Sequence, residues 1–356
     1  MRPGASIDDL TTPVPLIDED VVDGNIARVQ SFMDRIGLRF RPHIKTHKIP
    51  DLARRQIAAG AMGINAQKIS EAQVFADAGI DDILITYNIL GTEKLAALRA
   101  LHERVTLSVV ADSLVTVEGL ASTFAPERPL SVLVECDTGG KRCGVQSPHE
   151  ALRIAQAIAA APGLRFAGLL AYPRPWGEEE GERFLSQAVA LLAENGLPCE
   201  TVSYAGSPSL FSADKVPSAT EYRAGTYIYN DRSMIRAGHC TEAECAMTVL
   251  TSVVSRPTPD RAVIDAGSKT LTSDLLGFSD HGLILGLPEA RIVALSEEHA
   301  VVDLSGCGDE RPQIGEKLRV VPNHACVVSN LFDEVIFHRN GMVTGAVPVA
   351  ARGKVW

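Results

Sequence analysis

Two short segments at opposite ends of this 356-residue chain carry residue types suited to catalysis. Residues 41–48 read Arg-Pro-His-Ile-Lys-Thr-His-Lys, directly after the extended stretch Leu38-Arg39-Phe40. Lys45 falls where a strand, Phe40–Lys45, runs into a loop. An apolar strand end desolvates an ammonium and favours its neutral form, the form that attacks a carbonyl. The plain alternative, for Lys45 as for Lys48, is a solvated lysine at a strand end. Residues 322–326 read Pro-Asn-His-Ala-Cys. On an extended backbone, side chains two apart share a face with Cβ atoms on the order of 7 Å apart, so His324 and Cys326 could close on one metal ion. No Cys-x-x-Cys pair lies nearby to complete a closed structural site, and two protein ligands leave positions for water or substrate. A packed cysteine beside a surface histidine is the alternative. Together the two segments suggest carbon-bond chemistry on an amino acid.

Two further segments could hold an anion. Ala205-Gly206-Ser207-Pro208-Ser209 follows the apolar run Thr201–Tyr204, and Arg223-Ala224-Gly225-Thr226-Tyr227 lies in the next strand and turn. Small residues let backbone N–H groups approach a phosphate, and serine hydroxyls add donors, although Gly/Ser turns also occur without a ligand. Cys136-Asp137-Thr138-Gly139-Gly140-Lys141-Arg142-Cys143 closes another strand and puts Arg142 on a Gly-rich loop, where it could bond a phenolic or carboxylate oxygen or remain a surface charge.

The elements that must position these residues alternate. Val14–Asp18 is extended and Val21–Ile36 has helical spacing. Strand patterns at Gly63–Ala66, Asp82–Asn88, Val105–Ala111, Ser131–Cys136, Leu164–Ala171, Thr201–Ala205 and Glu221–Tyr229 are interleaved with helical ones at Pro50–Ala59, Ser70–Ala78, Thr92–His102, Pro148–Ala160 and Glu178–Glu194. Ser70 is placed to cap its helix. Near-continuous apolar strands in βα repetition imply a parallel sheet, and about eight strands favour a closed (β/α)8 TIM barrel. No G-x-G-x-x-G follows the first strand, so a dinucleotide fold has no support. Past residue 240 short strands separated by Pro and Gly predominate: Val249–Val254, Ala262–Asp265, Arg291–Ala294, Ala300–Leu304, Lys317–Val321 and Glu334–Arg339. The expected division is an α/β barrel over residues 20–238 and a C-terminal β-rich domain over 239–356, which residues 1–19 could join.

Bulk composition removes other classes. With 34 basic and 44 acidic residues the net charge is −10, without like-charge runs, which argues against nucleic acid and anionic membranes. Seven scattered cysteines give no disulfide framework and suit a reducing cytoplasm. The N-terminal residues lack a signal-peptide core, and no apolar run approaches membrane-spanning length.

The segments RPHIKTHK, AGAMGINAQKISEAQVFADAGIDDILIT, DTGGKRCGV, GSPSL, EYRAGTYIYND, DAGSKTLTSDLLG and PNHACVVSNLFDEV, in this order across nearly the whole chain, resemble the D-threonine aldolase and D-serine dehydratase family. These are fold-type III pyridoxal-phosphate enzymes with an alanine-racemase-like barrel. The resemblance implies that Lys45 carries pyridoxal 5'-phosphate (PLP) and that His324 and Cys326 hold a divalent metal beside it. It implies that Arg142 bonds the cofactor's phenolic oxygen, that Gly206, Ser207, Gly225 and Thr226 match phosphate-binding positions, and that Arg223 or Glu221 lies near the pyridine nitrogen. Tyr172 matches an active-site aromatic. Relatives often carry a histidine-containing segment after that tyrosine, whereas this chain reads Tyr172-Pro173-Arg174-Pro175-Trp176-Gly177, so a second acid or base is not identified.

The implied activity is PLP- and metal-dependent lysis of a β-hydroxy-D-amino acid, by retro-aldol cleavage to glycine and an aldehyde. A D-serine or 3-hydroxy-D-aspartate dehydratase is the alternative, with a non-catalytic PLP-binding protein further off because such a carrier needs no metal. The thiolate of Cys326 favours zinc, where a carboxylate would suit manganese or magnesium, and leans towards the dehydratase branch. A homodimer is implied by similarity alone.

Overall fold

Parallel strands cannot be joined by tight turns and need crossover segments between them, so the βα alternation fixes much of the topology. In the computed structural model, which describes residues 3–356, strand β1 (Val14–Asp18) and helix α1 (Glu19–Ile36) are followed by eight parallel strands: β2 (Arg39–Phe40), β3 (Ile64–Ala66), β4 (Asp82–Ile85), β5 (Thr106–Ala111), β6 (Leu130–Cys136), β7 (Leu164–Ala171), β8 (Thr201–Ala205) and β9 (Glu221–Arg223). They form one sheet in the order β2-β9-β8-β7-β6-β5-β4-β3. Beyond β2, a parallel bridge between His43 and Asn65 joins its continuation to β3 and closes the barrel. The expected (β/α)8 barrel is present.

Helices α2 (Pro50–Ala58), α3 (Ile69–Asp77), α4 (Thr92–His102), α5 (Leu114–Ala121), α6 (Pro148–Ala160) and α7 (Glu178–Glu194) connect the strands. Local chemistry sets their starts. Ser113 and Ser147 accept the N–H groups of Thr116 and Glu150, satisfying amides that a helix leaves unpaired, and Pro148 fits the first turn. Ser70 does not play this part. Helix α3 begins at Ile69 after an uncapped Lys68, and the Ser70 hydroxyl instead donates to the Trp356 carbonyl oxygen at 2.8 Å. Strand β6 is buried at six of its seven positions, as expected where helices cover one face of a sheet and side chains fill the other.

The chain separates into two compact units, one comprising Arg28–Lys45, Pro50–Gly225 and Lys354–Trp356, which holds the barrel. The other takes in the N-terminal segment up to Ala27, Thr46–Ile49 and Thr226–Gly353. Its nine-stranded sheet contains β1 together with β10 (Met247–Thr258), β11 (Arg261–Ile264), β12 (Leu283–Ile284), β13 (Arg291–Leu295), β14 (Ala300–Asp303), β15 (Lys317–Val321), β16 (Glu334–Arg339) and β17 (Met342–Pro348). Strand β1 pairs antiparallel with β10 and parallel with β16, so the N-terminal segment belongs to this sheet. Ile7, Leu10, Leu16, Leu250, Ile336 and Val343 form a cluster beneath it. Truncating the fully buried Leu16 to alanine removes on the order of 2–5 kcal/mol. Three short helices complete the unit: α8 (Arg232–Arg236), α9 (Ser268–Leu271) and α10 (Ala325–Leu331). No helix among the described residues is long and apolar enough to cross a membrane.

Candidate active site

In the barrel unit, β2 ends at Phe40 rather than at Lys45. The chain continues along the sheet without regular pairing: the Arg41 N–H donates to the Tyr222 oxygen at 3.0 Å and the His43 N–H to the Ala224 oxygen at 2.8 Å. It then turns. His43 fixes that turn, its Nδ1 accepting the Lys45 N–H at 3.3 Å while its Nε2 lies 3.0 Å from Gln67 Oε1. An amide oxygen only accepts, so Nε2 carries the proton and the tautomer is set. His43 lies in the motif that singles out Lys45, but its positioning part depends on Gln67 and needed the fold to be seen. Lys45 itself is half-buried in the turn beyond the C-terminal end of β2.

Strand β9 is also shorter than the sequence pattern suggests. It ends at Arg223, and a 3-10 turn occupies Thr226–Ile228 where a continuous strand was expected. Directly after β8, Gly206 adopts φ +133°, a conformation open mainly to glycine, and its carbonyl oxygen accepts the Tyr222 hydroxyl at 2.8 Å. The Ser207 hydroxyl accepts the Gly225 N–H at 3.4 Å. The two predicted anion-binding segments therefore meet. A β-carbon at Gly206 would meet no neighbouring atom nearer than the Tyr222 hydroxyl at 3.9 Å, so the backbone faces open space of the kind a phosphate needs.

Arg223 is fully buried. Its Nε donates to Ser203 Oγ at 2.8 Å and one terminal nitrogen to the Ala171 oxygen at 2.8 Å. Burial pulls its pKa down to about 10, against the opposing pull of Glu221 and Glu135. Glu221 has both oxygens engaged: Oε1 accepts from Ser203 Oγ at 2.5 Å and Oε2 from Arg41 Nε at 2.9 Å. Burial likewise raises the Glu135 carboxyl, outweighing Arg223 and Arg142. At the rim, the Arg142 guanidinium lies 4.4 Å from the centroid of the Tyr172 ring, bringing two more predicted site residues together in a cation–π contact. The loops that carry them pack so closely that a β-carbon on Gly140 would come within 2.5 Å of the Tyr172 oxygen.

The β-rich unit holds the other predicted pair. His324 and Cys326 are not on a strand. His324 is the N-cap residue of α10, and Cys326 lies in its first turn. Asp231 causes this, its Oδ2 accepting the Ala325 N–H at 3.0 Å and supplying the helix start with a carboxylate from a distant part of the chain. The two groups still lie close enough to interact, Cys326 favouring the protonated form of the His324 imidazole. His324 Nδ1 lies 2.7 Å from Asp274 Oδ2. Cys326 Sγ is 3.1 Å from the Thr46 hydroxyl and 3.9 Å from that of Thr226, so this structure places the Thr226 side chain beside the thiol. Burial would lower the His324 pKa, but the neighbouring Cys326 and the contact with Asp274 raise it to about 9.

Both halves fit the groups that the motifs imply. The barrel offers a lysine at a strand end, a left-handed glycine backed by a serine, and a buried arginine. The β-rich unit offers an imidazole and a thiol close enough to share one ion, a donor set that suits zinc. Asp274 and Asp231 lie within the motif segments DAGSKTLTSDLLG and EYRAGTYIYND, but their parts were not legible there because each acts on a residue far away in the chain.

Residues 17–233 match the family profile "Alanine racemase, N-terminal domain", and residues 246–338 match "Putative serine dehydratase domain". A D-threonine aldolase from an Arthrobacter species is 34% identical over 99% of this chain and 95% of its own. The solved D-threonine aldolase of Filomicrobium marinum superposes with a TM-score of 0.91 at 33% identity, covering 100% of both chains. A D-threo-3-hydroxyaspartate dehydratase with a cysteine replaced by alanine, solved in the metal-free form, gives 0.87 at 28% identity, covering 99% of this chain and 100% of that one.

Proposed function

The chain belongs to the family of D-threonine aldolases and D-serine dehydratases built on the alanine-racemase barrel, and from that premise we propose that it is a PLP- and metal-dependent carbon–carbon lyase cleaving β-hydroxy-D-amino acids to glycine and an aldehyde. The observation that carries the aldolase reading is the full-length likeness to a D-threonine aldolase, 34% identical over 99% of this chain, and the His324–Cys326 pair with Asp274 against the imidazole supports its metal dependence.

Lys45 is the residue that would hold the cofactor covalently, with the Gly206, Ser207 and Gly225 backbone and side chains on its phosphate, Arg142 on its phenolic oxygen and Tyr172 against it. Thr226 joins the phosphate set by similarity. Of the two candidates for the pyridine nitrogen, Arg223 is favoured, because both carboxylate oxygens of Glu221 are already bonded whereas one terminal nitrogen of Arg223 has only a 3.4 Å contact to Asn65 Oδ1. When bound, PLP supplies an electron sink at the substrate α-carbon, and a divalent ion, zinc by its donor set, supplies Lewis acidity at the β-hydroxyl. In the cleavage the hydroxyl proton leaves, the Cα–Cβ bond breaks, the aldehyde carbonyl forms and the α-carbon takes up a proton. Lys45 Nζ is the group of this chain that holds and returns a proton there.

A dehydratase reading has one observation in its favour: the thiolate donor, whose counterpart chemistry is suggested by the metal-free cysteine variant of the dehydratase relative. In that reaction Lys45 Nζ removes the α-proton and the β-hydroxyl departs. We further propose a cytoplasmic homodimer, to be checked by light scattering on the purified protein.

Product identification separates the two reactions. PLP-loaded protein incubated with D-threonine and Zn²⁺ or Mn²⁺ should give glycine and acetaldehyde. Ammonia with 2-oxobutanoate would replace the aldolase by the dehydratase, and recovery of D-threonine alone across both metals would overturn the D-threonine assignment.

A further inference from the structure

His324 could present either ring nitrogen to an ion, and the sequence does not choose. The β-rich unit does. An ionised carboxylate only accepts hydrogen bonds, so at 2.7 Å from Asp274 Oδ2 the His324 Nδ1 must carry the proton. Nδ1 keeps its proton against that carboxylate, so Nε2 is the nitrogen an ion would take once its own proton has left.

The Asp274 side of this contact is built rather than incidental. Asp274 sits on the loop from Thr272 to Phe278, in which Thr272 and Leu276, neither of them glycine, adopt φ +66° and +47°. Left-handed backbone at such residues persists only when surrounding contacts impose it. Those contacts are present. The Asp274 N–H donates to Thr272 Oγ1 at 3.0 Å, and an Arg236 nitrogen donates to the Leu276 oxygen at 2.6 Å. Phe278 lies beneath the guanidinium groups of Arg232 and Arg236, at 4.4 and 3.9 Å from its ring centroid.

Asn323, the residue before His324, ties the two partners to one frame. Its Nδ2 donates to the Asp274 oxygen at 3.3 Å and to the Asp280 oxygen at 2.7 Å, while Asp280 takes a two-pronged bond from Arg232 at 2.5 and 3.2 Å. Asp231 holds the other side of His324 through the Ala325 amide. The imidazole is therefore braced before and behind, with the nitrogen it can offer an ion determined by Asp274.

We propose that Asp274 is the positioning residue of the metal centre: through Nδ1 it fixes the His324 tautomer and ring orientation, so that the ion is bound by Nε2 together with Cys326 Sγ. This rests on the metal reading given above. A carboxylate behind a ligating imidazole raises its basicity and removes the rotational freedom that binding would otherwise have to freeze.

The test is zinc affinity of the PLP-loaded full-length protein, measured by competition with a chromophoric chelator, with the cofactor's visible absorbance and the thermal midpoint recorded on the same metal-free samples. Asp274→Ala should weaken zinc binding by about 10–100-fold while cofactor absorbance and thermal midpoint stay at wild-type values. Asp274→Asn, which keeps an acceptor oxygen but loses the charge, should weaken it less, and covers the case in which the alanine variant fails to fold. Wild-type zinc affinity in both variants overturns the assignment of Asp274 and leaves the metal reading standing. A wild-type protein that takes up no zinc overturns the metal reading, and this inference with it.

Discussion

Asp231 and Ala325 are joined across the chain by a single hydrogen bond, the Ala325 N–H donating to Asp231 Oδ2 at 3.0 Å, and that bond starts the helix bearing Cys326. The other oxygen of the same carboxylate accepts the Met234 N–H at 3.2 Å and so caps α8 as well. Asp231→Ala removes two helix caps at once and should lower stability by about 2–4 kcal/mol. Denaturant unfolding followed by circular dichroism measures this; a loss below about 0.5 kcal/mol would mean that neither helix depends on the carboxylate.

Inside the barrel, Glu221 is the acceptor shared by Arg41 and Ser203. The Arg41 and Glu221 side chains are only 7% and 2% exposed, so removing the acid leaves a buried guanidinium with Asp82 as its remaining carboxylate partner. Glu221→Ala should cost about 3–5 kcal/mol, and Glu221→Gln distinctly less, because breaking a buried pair from one side is more damaging than the pair is stabilising. Equilibrium unfolding of the two variants side by side checks the order.

Gly206 joins a conformational requirement to an open space. Gly206→Ala should lose about 1–3 kcal/mol of stability from the φ of +133° and about tenfold or more in PLP affinity, since its β-carbon projects where no protein atom lies within 3.9 Å. Fluorescence titration of apo-protein with PLP reads the second effect. Unchanged affinity would remove Gly206 from the phosphate site.

The pH dependence of stability carries a signature of Glu135. Burial raises its pKa in the folded chain, so the folded state holds the proton more tightly than the unfolded one. The stability it contributes is then full below the ordinary carboxylate pKa and is lost as pH rises through the raised value. Glu135→Gln should abolish this loss, so the variant gains on wild type between acid and neutral pH. A gap that instead widens in favour of wild type would show that Arg223 and Arg142 outweigh burial.

Much of this protein is legible locally. Periodicity marks β7, α4, α6, α7 and β16 at the residues observed, since each element buries a face that repeats at its own period. The chemistry-bearing motifs are contiguous and stand out for the same reason: Lys45 on its strand exit, Gly206-Ser207, Arg223-Ala224-Gly225, and His324 two residues before Cys326.

What only the tertiary structure decided is what distant residues do to those motifs. Residues 322–326 look extended by spacing, yet Asp231 turns them into a helix start. Ser70 looks like a cap, yet its hydroxyl goes to Trp356. Glu221 gives no sign in sequence that Arg41 and Ser203 bond both of its oxygens. His324 has two usable nitrogens until Asp274 takes one. A sequence encodes which groups are present and their local spacing, whereas a hydrogen bond to a buried or braced side chain depends on a partner's position in space, and the fold alone supplies that.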